Sequence, residues 1–192
     1  MSKVIMQGTR CTLTEMKETY LPEHTAYMND PEVNRFILSR PPFTLNQQRT
    51  WLRGRRKNGD HIHAILVRSE TKKSESLRYI GLMELGHINA RKQSAISASV
   101  IGNRDYWRKG IAREARLMQL KFAFDTLRLR WVYSKTVRPN VRSQRLLEST
   151  GYHVIKVLSA ARLVNGIMED EIVYRVSRSA WLPIWNQYLR NR

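Results

Sequence analysis

Tyr106-Trp107-Arg108-Lys109-Gly110-Ile111-Ala112 lies between an extended stretch, Ser94 to Ile101, and a long amphipathic run, Ile111 to Leu127. The stretch predicts a strand and the run a helix, so the segment is a strand-to-helix turn. A helix N-terminus presents backbone N–H groups with no intrahelical partner, and the helix dipole is positive there. Gly110 and Ala112 carry no bulk to hold an anion off, and Arg108 and Lys109 add positive charge. That chemistry suits a phosphate chain. A glycine in one such turn is a weak signal alone, and its weight comes from a second motif about thirty residues later.

Outward from this turn, the hydropathy pattern divides the rest of the chain. Arg10 to Met16 alternates apolar and polar residues and predicts a first strand. Leu21 to Asn29 predicts a short helix with Pro22 in its first turn. Asn46 to Lys57 predicts a second, with Trp51 and Leu52 on its inner side and Asn58-Gly59-Asp60 ending it. Asp30-Pro31 and Pro41-Pro42 are breaks. Ile62 to Arg68, Arg78 to Ile88 and Ser94 to Ile101 predict three strands, with polar joints at Ser69 to Ser76 and Asn89 to Gln93. In the long helix Ile111, Ala115, Met118 and Phe122 form one apolar stripe, and Leu117, Leu120, Phe124 and Leu127 a second. Trp131 to Val137 predicts a strand and Val141 to Ser149 a short helix closed by Gly151. Tyr152 to Leu158 and Met168 to Val176 predict two strands, with a hairpin turn near Asn165-Gly166. Ser179 to Leu189 predicts a last helix with Pro183 in its first turn; its Trp181, Ile184, Trp185 and Tyr188 favour core packing or a dimer seam over acceptor binding. The order is that of an α/β (α+β) fold: one domain over residues 1–192 around a single sheet of about seven strands, with 179–192 an appended C-terminal helix.

Of 192 residues, 42% are hydrophobic, enough for a real core. Cys11 is the one cysteine, which excludes an internal disulfide, and no metal-ligand spacing is apparent. No stretch approaches a membrane span and the N-terminus has no apolar leader, so the expected address is the cytoplasm, without membrane association. Lys and Arg number 34 against 16 Asp and Glu, a formal charge of +18. That bias attracts polyanions: nucleic acid, the ribosome, an acidic protein or a phosphorylated ligand. A merely charged, solvated surface accounts for it equally well, since no nucleic-acid-binding module accompanies it.

Arg138-Pro139-Asn140-Val141-Arg142-Ser143 falls where a strand ends and a helix begins, and Leu146-Leu147-Glu148-Ser149-Thr150-Gly151-Tyr152 follows. Here the chain resembles the GNAT superfamily of acyl-CoA N-acyltransferases, and within it the branch of ribosomal-protein N-terminal acetyltransferases and their small-molecule relatives. That branch carries a Tyr-Trp-x-x-Gly-x-Ala loop, an Asn-x-x-Ser helix start, a Leu-Leu-Glu-x-x-Gly-aromatic ending and a late Gly-x-x-x-Asp hairpin. These fall on Tyr106 to Ala112, Asn140 to Ser143, Leu146 to Tyr152 and Gly166 to Asp170, within a resemblance covering roughly residues 8 to 178. It implies a mixed, mostly antiparallel sheet splayed at the cofactor strand, and acetyl-CoA as co-substrate with no metal. It also implies that the pyrophosphate lies on Trp107, Arg108, Lys109, Gly110, Ile111 and Ala112. The pantetheine arm would run beside Ser99, Val100 and Ile101, Asn140 would hold the arm or a water, and Ser143 would sit beside the thioester sulfur.

Two positions depart from the wider family. Trp107 stands three residues before the glycine, where many members have Gln or Arg. Leu147 stands seven residues after the asparagine, where several members place a tyrosine that protonates the leaving thiolate. Ser143, or a water it holds, is left for that work. The thioester oxygen needs a donor as charge develops, and the Val100 or Ile101 N–H is expected there. Glu84, central in the strand beside the cofactor strand, is the expected base, with Met83 and Leu85 facing the other way; a solvent-facing strand glutamate, or a partner for a nearby arginine, is the equal alternative. His61 and His87 are weaker candidates, Asp170 suits a structural or acceptor-side role, and Cys11 and Tyr152 suit the core. The expected activity is acetyl transfer to a primary amine, a protein N-terminus before a small amine, with a ribosomal or nucleic-acid-associated acceptor and a monomer or homodimer. The rival expectation is a GNAT-shaped nucleic-acid- or ribosome-binding module with little catalysis.

Overall fold

Along His61–Arg68 the apolar side chains go alternately to two cores. Ile62, Ala64 and Leu66 join one, and Ile65 and Val67 the other. Such alternation, buried on both faces, requires a strand inside a sheet with helices on each side. The computed structural model describes residues 3–37, 41–69 and 76–191. In chain order its elements are β1 (Val4–Gln7), β2 (Thr12–Glu15), α1 (Leu21–Asn29), α2 (Pro31–Asn34), α3 (Leu45–Lys57), β3 (His61–Arg68), β4 (Leu77–Asn89) and β5 (Ser94–Ile101). Then follow α4 (Ile111–Lys121), β6 (Trp131–Val137), α5 (Val141–Glu148), β7 (His153–Val164), β8 (Ile167–Ser177) and α6 (Arg178–Arg190).

The eight strands form one sheet in the order β1-β2-β3-β4-β5-β6-β8-β7, antiparallel except where β5 meets β6. On one face α4 and α6 build the larger core around Ala115, Met118, Phe124 and Trp181. On the other face α1 and α3 contribute Leu21 and Leu52 to a smaller core over Ala64, Tyr79 and Leu82. Met83 and Leu85 are fully buried in the larger core, each adding roughly 1.5–3 kcal/mol by leaving water.

The parallel contact between β5 and β6 is short. It spans Ser94 to Ile96 against Trp131 to Tyr133. Two hydroxyls then bridge the strands: Ser97 Oγ donates to the Tyr133 carbonyl at 3.1 Å and Ser134 Oγ to the Ser97 carbonyl at 3.0 Å. Past this rung no β5–β6 pairing continues, although β4 still pairs with β5 and β8 with β6. The result is a crevice between Ser99–Ile101 and Lys135–Val137. On β4, the bulge near Ile80 brings Gly81 against β5 so closely that a Cβ there would meet the Val100 oxygen at 2.1 Å.

Several sequence expectations need correction. The sheet has eight strands, because Val4–Gln7 pairs with β2 as an edge strand; its half-exposed residues give little hydropathy signal. A short helix, α2, fills the expected break at Asp30-Pro31, with the Asp30 carboxylate accepting from Glu32 N–H at 2.8 Å. Regular α-helix stops at Lys121, and a π-helical turn, Phe122–Thr126, continues towards Leu127. β7 runs past Leu158 to Val164 through an irregularity at Ala160, whose N–H donates to Asp170 Oδ1 at 3.0 Å. Ser177 caps α6 one residue earlier than expected, so Pro183 lies inside the helix and not in its first turn. Trp181 and Trp185 stack 5.6 Å apart and are buried in the larger core. Residues 70–75 of the expected polar joint lie outside the described residues.

Candidate active site

The turn at residues 106–112 adopts the geometry its composition suggests. Arg108 and Gly110 both have positive φ, 62° and 76°. For Arg108 that conformation costs on the order of 1 kcal/mol, and chains of this shape turn backbone N–H groups into one concavity. Gly110 is the N-cap of α4, and no side chain caps the helix. The first N–H groups of α4 are therefore left for an anion. Trp107 ties the turn down: its Nε1 donates to the Ile101 carbonyl at 2.8 Å, and the Arg142 guanidinium lies 4.3 Å from its ring centroid. The departure at this position thus fastens the loop to both β5 and α5.

One cavity of about 1480 Å³ begins at this turn, passes through the β5–β6 crevice and ends between α1, α3 and β4. It is lined by every residue expected in the site except one: Ser99, Val100, Ile101, Trp107, Arg108, Gly110, Ile111, Ala112, Asn140, Ser143 and Glu84. Lys109 is the exception. Its ammonium turns back over the Tyr106 ring, 5.4 Å from the centroid. Eight Arg and Lys side chains line the cavity against three carboxylates, a balance that suits a polyphosphate ligand.

Strand alternation settles which amides face the crevice. Gly102 N–H donates to the Ile80 carbonyl at 2.8 Å, so the pair two residues on, Leu82 with Val100, is also a hydrogen-bonded one. Val100 therefore spends its N–H on β4, which corrects the expectation that it could serve the thioester oxygen. Ser99 and Ile101 present their peptide groups to the crevice, consistent with the Ile101 carbonyl reaching Trp107. At the start of α5, Asn140 Oδ1 accepts from the Ser143 backbone N–H at 3.2 Å, which holds the Asn140 side chain at the crevice wall where Ser143 also lies.

Glu84 stands opposite Ile62 on the face of the smaller core, with Met83 and Leu85 turned away as expected. Its carboxylate is 12% exposed and pairs with Arg55 Nη2 at 3.0 Å, while Arg55 Nη1 reaches Asp60 at 3.1 Å. Burial raises the pKa of Glu84; the Arg55 charge opposes that rise and the Asp60 charge adds to it. Glu84 thus lines the cavity and has an arginine partner. Beside it, His24 stacks on Trp51 at 5.6 Å, and its Nδ1 lies 3.1 Å from the Tyr79 hydroxyl. Burial lowers the His24 pKa to about 4, so the ring is neutral near pH 7. His24 was not singled out from the sequence, and Arg55 and Arg142 stood out there only as members of basic runs; tertiary packing brings all three to this cavity.

The remaining candidates lie elsewhere. His61 packs on Phe122, and His87 occupies a bulge where its N–H donates to Asp60. Asp170 holds Arg138 at 2.8 Å and Ala160, a structural role. Cys11 is buried and its thiol pKa is pushed far up, which removes it as a nucleophile. Tyr152 is buried in the larger core. Among the described residues, no group of His, Cys, Asp or Glu is arranged to hold a metal ion, and no helix is long and apolar enough to cross a membrane.

Comparison with known proteins agrees with this geometry. The family model for the acetyltransferase (GNAT) domain matches residues 10–153. A solved structure assigned to the acetyltransferases is 26% identical, covering 95% of this chain and 91% of its own, with a TM-score of 0.76. Spermidine N-acetyltransferase from Vibrio cholerae, solved with CoA and spermine, superposes with a TM-score of 0.80 at 20% identity, covering 91% of this chain and 99% of its own. Its likeness is one of fold. With the family match running from the start of β2 to the start of β7, across both walls of the crevice, the chain belongs to the GNAT acetyltransferases and is an acetyl-CoA-dependent N-acetyltransferase.

Proposed function

We propose that this protein acetylates a protein N-terminal amine by direct attack within a ternary complex, with Glu84 as the base. The observation that carries the reading is the single cavity joining an uncapped helix N-terminus to a buried carboxylate through the β5–β6 crevice. In this reading Arg108 and the N–H groups of Ile111 and Ala112 hold the diphosphate. The exposed peptide edge of Ser99 and Ile101 pairs with the pantetheine arm, and the Asn140 side-chain Nδ2 and Ser143 steady the arm or a water. The Ile101 N–H donates to the thioester oxygen as charge builds on it. The amine nitrogen bonds to the carbonyl carbon, the C–S bond breaks with its electron pair on sulfur, and the amine proton passes to Glu84, directly or through water. A free α-amine, with a pKa of about 8, needs only a modest base.

The choice of acceptor rests on charge. A polyamine brings several cations that each want an anion. The acceptor end offers Glu32 and Glu84, and these are opposed by Arg35 and Arg55. A single amine on an uncharged backbone, held between Trp51 and Phe43, suits that balance better. The +18 formal charge favours acceptors borne on a ribosomal or other nucleic-acid-associated particle. The fold likeness to a spermidine acetyltransferase supports a small amine as the second reading. Thiol release from acetyl-CoA, measured with free peptides, N-blocked peptides and spermidine, separates the two. Turnover is expected with free N-termini and lost on blocking; faster turnover of spermidine would transfer the assignment to polyamines. Acetyl-CoA at about a hundredfold excess over Kd is expected to stabilise the fold by about 2.7 kcal/mol, and no rise in Tm would remove the ternary-complex reading altogether.

A further inference from the structure

Arg116 is a buried cation without an anion. It is 2% exposed, on the second turn of α4, and it lines the cavity. Its Nη1 donates to Gln119 Oε1 at 2.9 Å and its Nη2 to Ser99 Oγ at 2.9 Å, while Nε has no partner. Among the described residues it forms no ion pair, and the one ionisable group acting on it is Tyr152, whose ring lies 5.9 Å away. The Tyr152 hydroxyl in turn bonds Ser97 Oγ at 2.8 Å. A guanidinium stays protonated even here, so a full positive charge sits in a low-dielectric wall with neutral partners only. Such a charge is costly unless something negative visits it.

Its place indicates what that is. Arg116 lies six residues, roughly 9 Å of helix, beyond the phosphate cradle at Gly110. It touches Ser99, the first residue of the open β5 edge after the Ser97–Ser134 rung. Leu147, which stands where several family members carry a tyrosine acid, is buried in the core. Acetyl transfer, on which this inference rests, creates one new negative charge inside the crevice, on the sulfur that keeps the electron pair of the broken C–S bond. Ser99 Oγ accepts from Arg116, so its own O–H remains to donate, and donation strengthens when a cation polarises the oxygen. We propose that the Ser99 hydroxyl donates to the departing thiolate and that Arg116 is its positioning residue, supplying the field that stabilises sulfur as an anion.

The test is ionisation of the CoA thiol in the binary complex, followed by thiolate absorbance against pH, with desulfo-CoA as the control ligand. In the wild type the bound thiol is expected to ionise well below its free value. In Arg116→Gln it returns towards that value, desulfo-CoA affinity stays within about twofold, and kcat falls about 100-fold with little change in the KM for acetyl-CoA. Arg116→Lys restores part of the shift. Ser99→Ala provides the same readout if Arg116→Gln does not fold. A bound thiol that ionises identically in wild type and Ser99→Ala overturns the proposal, as does equal weakening of CoA and desulfo-CoA in folded Arg116→Gln. If neither ligand binds the wild type, the reading of the cavity itself fails instead.

Discussion

At Glu84 two opposing forces meet on one carboxylate. Desolvation favours its protonated form and Arg55 its ionised form, and desolvation prevails. As the proposed base, Glu84 would be idle below its raised pKa, so turnover is expected to rise as pH climbs through that value. Arg55→Gln removes the opposing charge and moves this limb to higher pH; a limb that stays put would separate Glu84 from the rate. Glu84→Gln is expected to lower kcat about 100-fold and to leave acetyl-CoA affinity intact, as measured by calorimetry. The orientation of Glu84 was legible in the alternation Leu82-Met83-Glu84-Leu85. Its partner was not, because Arg55 comes from α3 and reaches β4 only through packing.

Among the elements, α4 does most to join site to scaffold. Its first-turn Glu114 is buried and accepts from Thr9, Arg10 and Cys11 N–H, from Thr9 Oγ1 and from the Tyr188 hydroxyl. Desolvation works against the charged form, but these donors together lower its pKa. The carboxylate therefore stabilises the fold fully above the ordinary glutamate pKa, and that stability is lost as pH falls through the lowered folded value. Glu114→Gln is expected to cost about 3 kcal/mol, lowering Tm by roughly 6–12 °C at neutral pH, with a smaller difference in acid. Equal Tm values at neutral pH would refute it. Elements with strong periodicity, such as Ser94–Ile101 and Trp131–Val137, were legible residue for residue. Those set by distant partners were not: β1 needs β2, and the continuation of β7 needs Asp170 from β8.

Across the whole molecule, part of the excess positive charge lies where a polyanion would enter. Arg108, Arg142 and Arg145 line the cofactor end of the cavity. The KM for acetyl-CoA is accordingly expected to rise several-fold between low and physiological salt, while kcat changes little. A salt-independent KM would assign those arginines to solubility alone. The cofactor half of the cavity was legible because one turn and one helix start, each local in sequence, build most of it. Of the acceptor half only Glu84 was legible, since α1, α3 and β4 converge only in the folded chain. The early end of β5–β6 pairing carries a consequence for the catalytic cycle. A sheet interrupted between two of its own members resembles a zip left open, and in the proposed complex the visitor that closes it is made of pantetheine in place of polypeptide. Amide deuteration at Ser99 and Ile101 should then be rapid in the empty enzyme and slow when CoA is bound, so that each turnover fastens and unfastens the seam running through the middle of the protein.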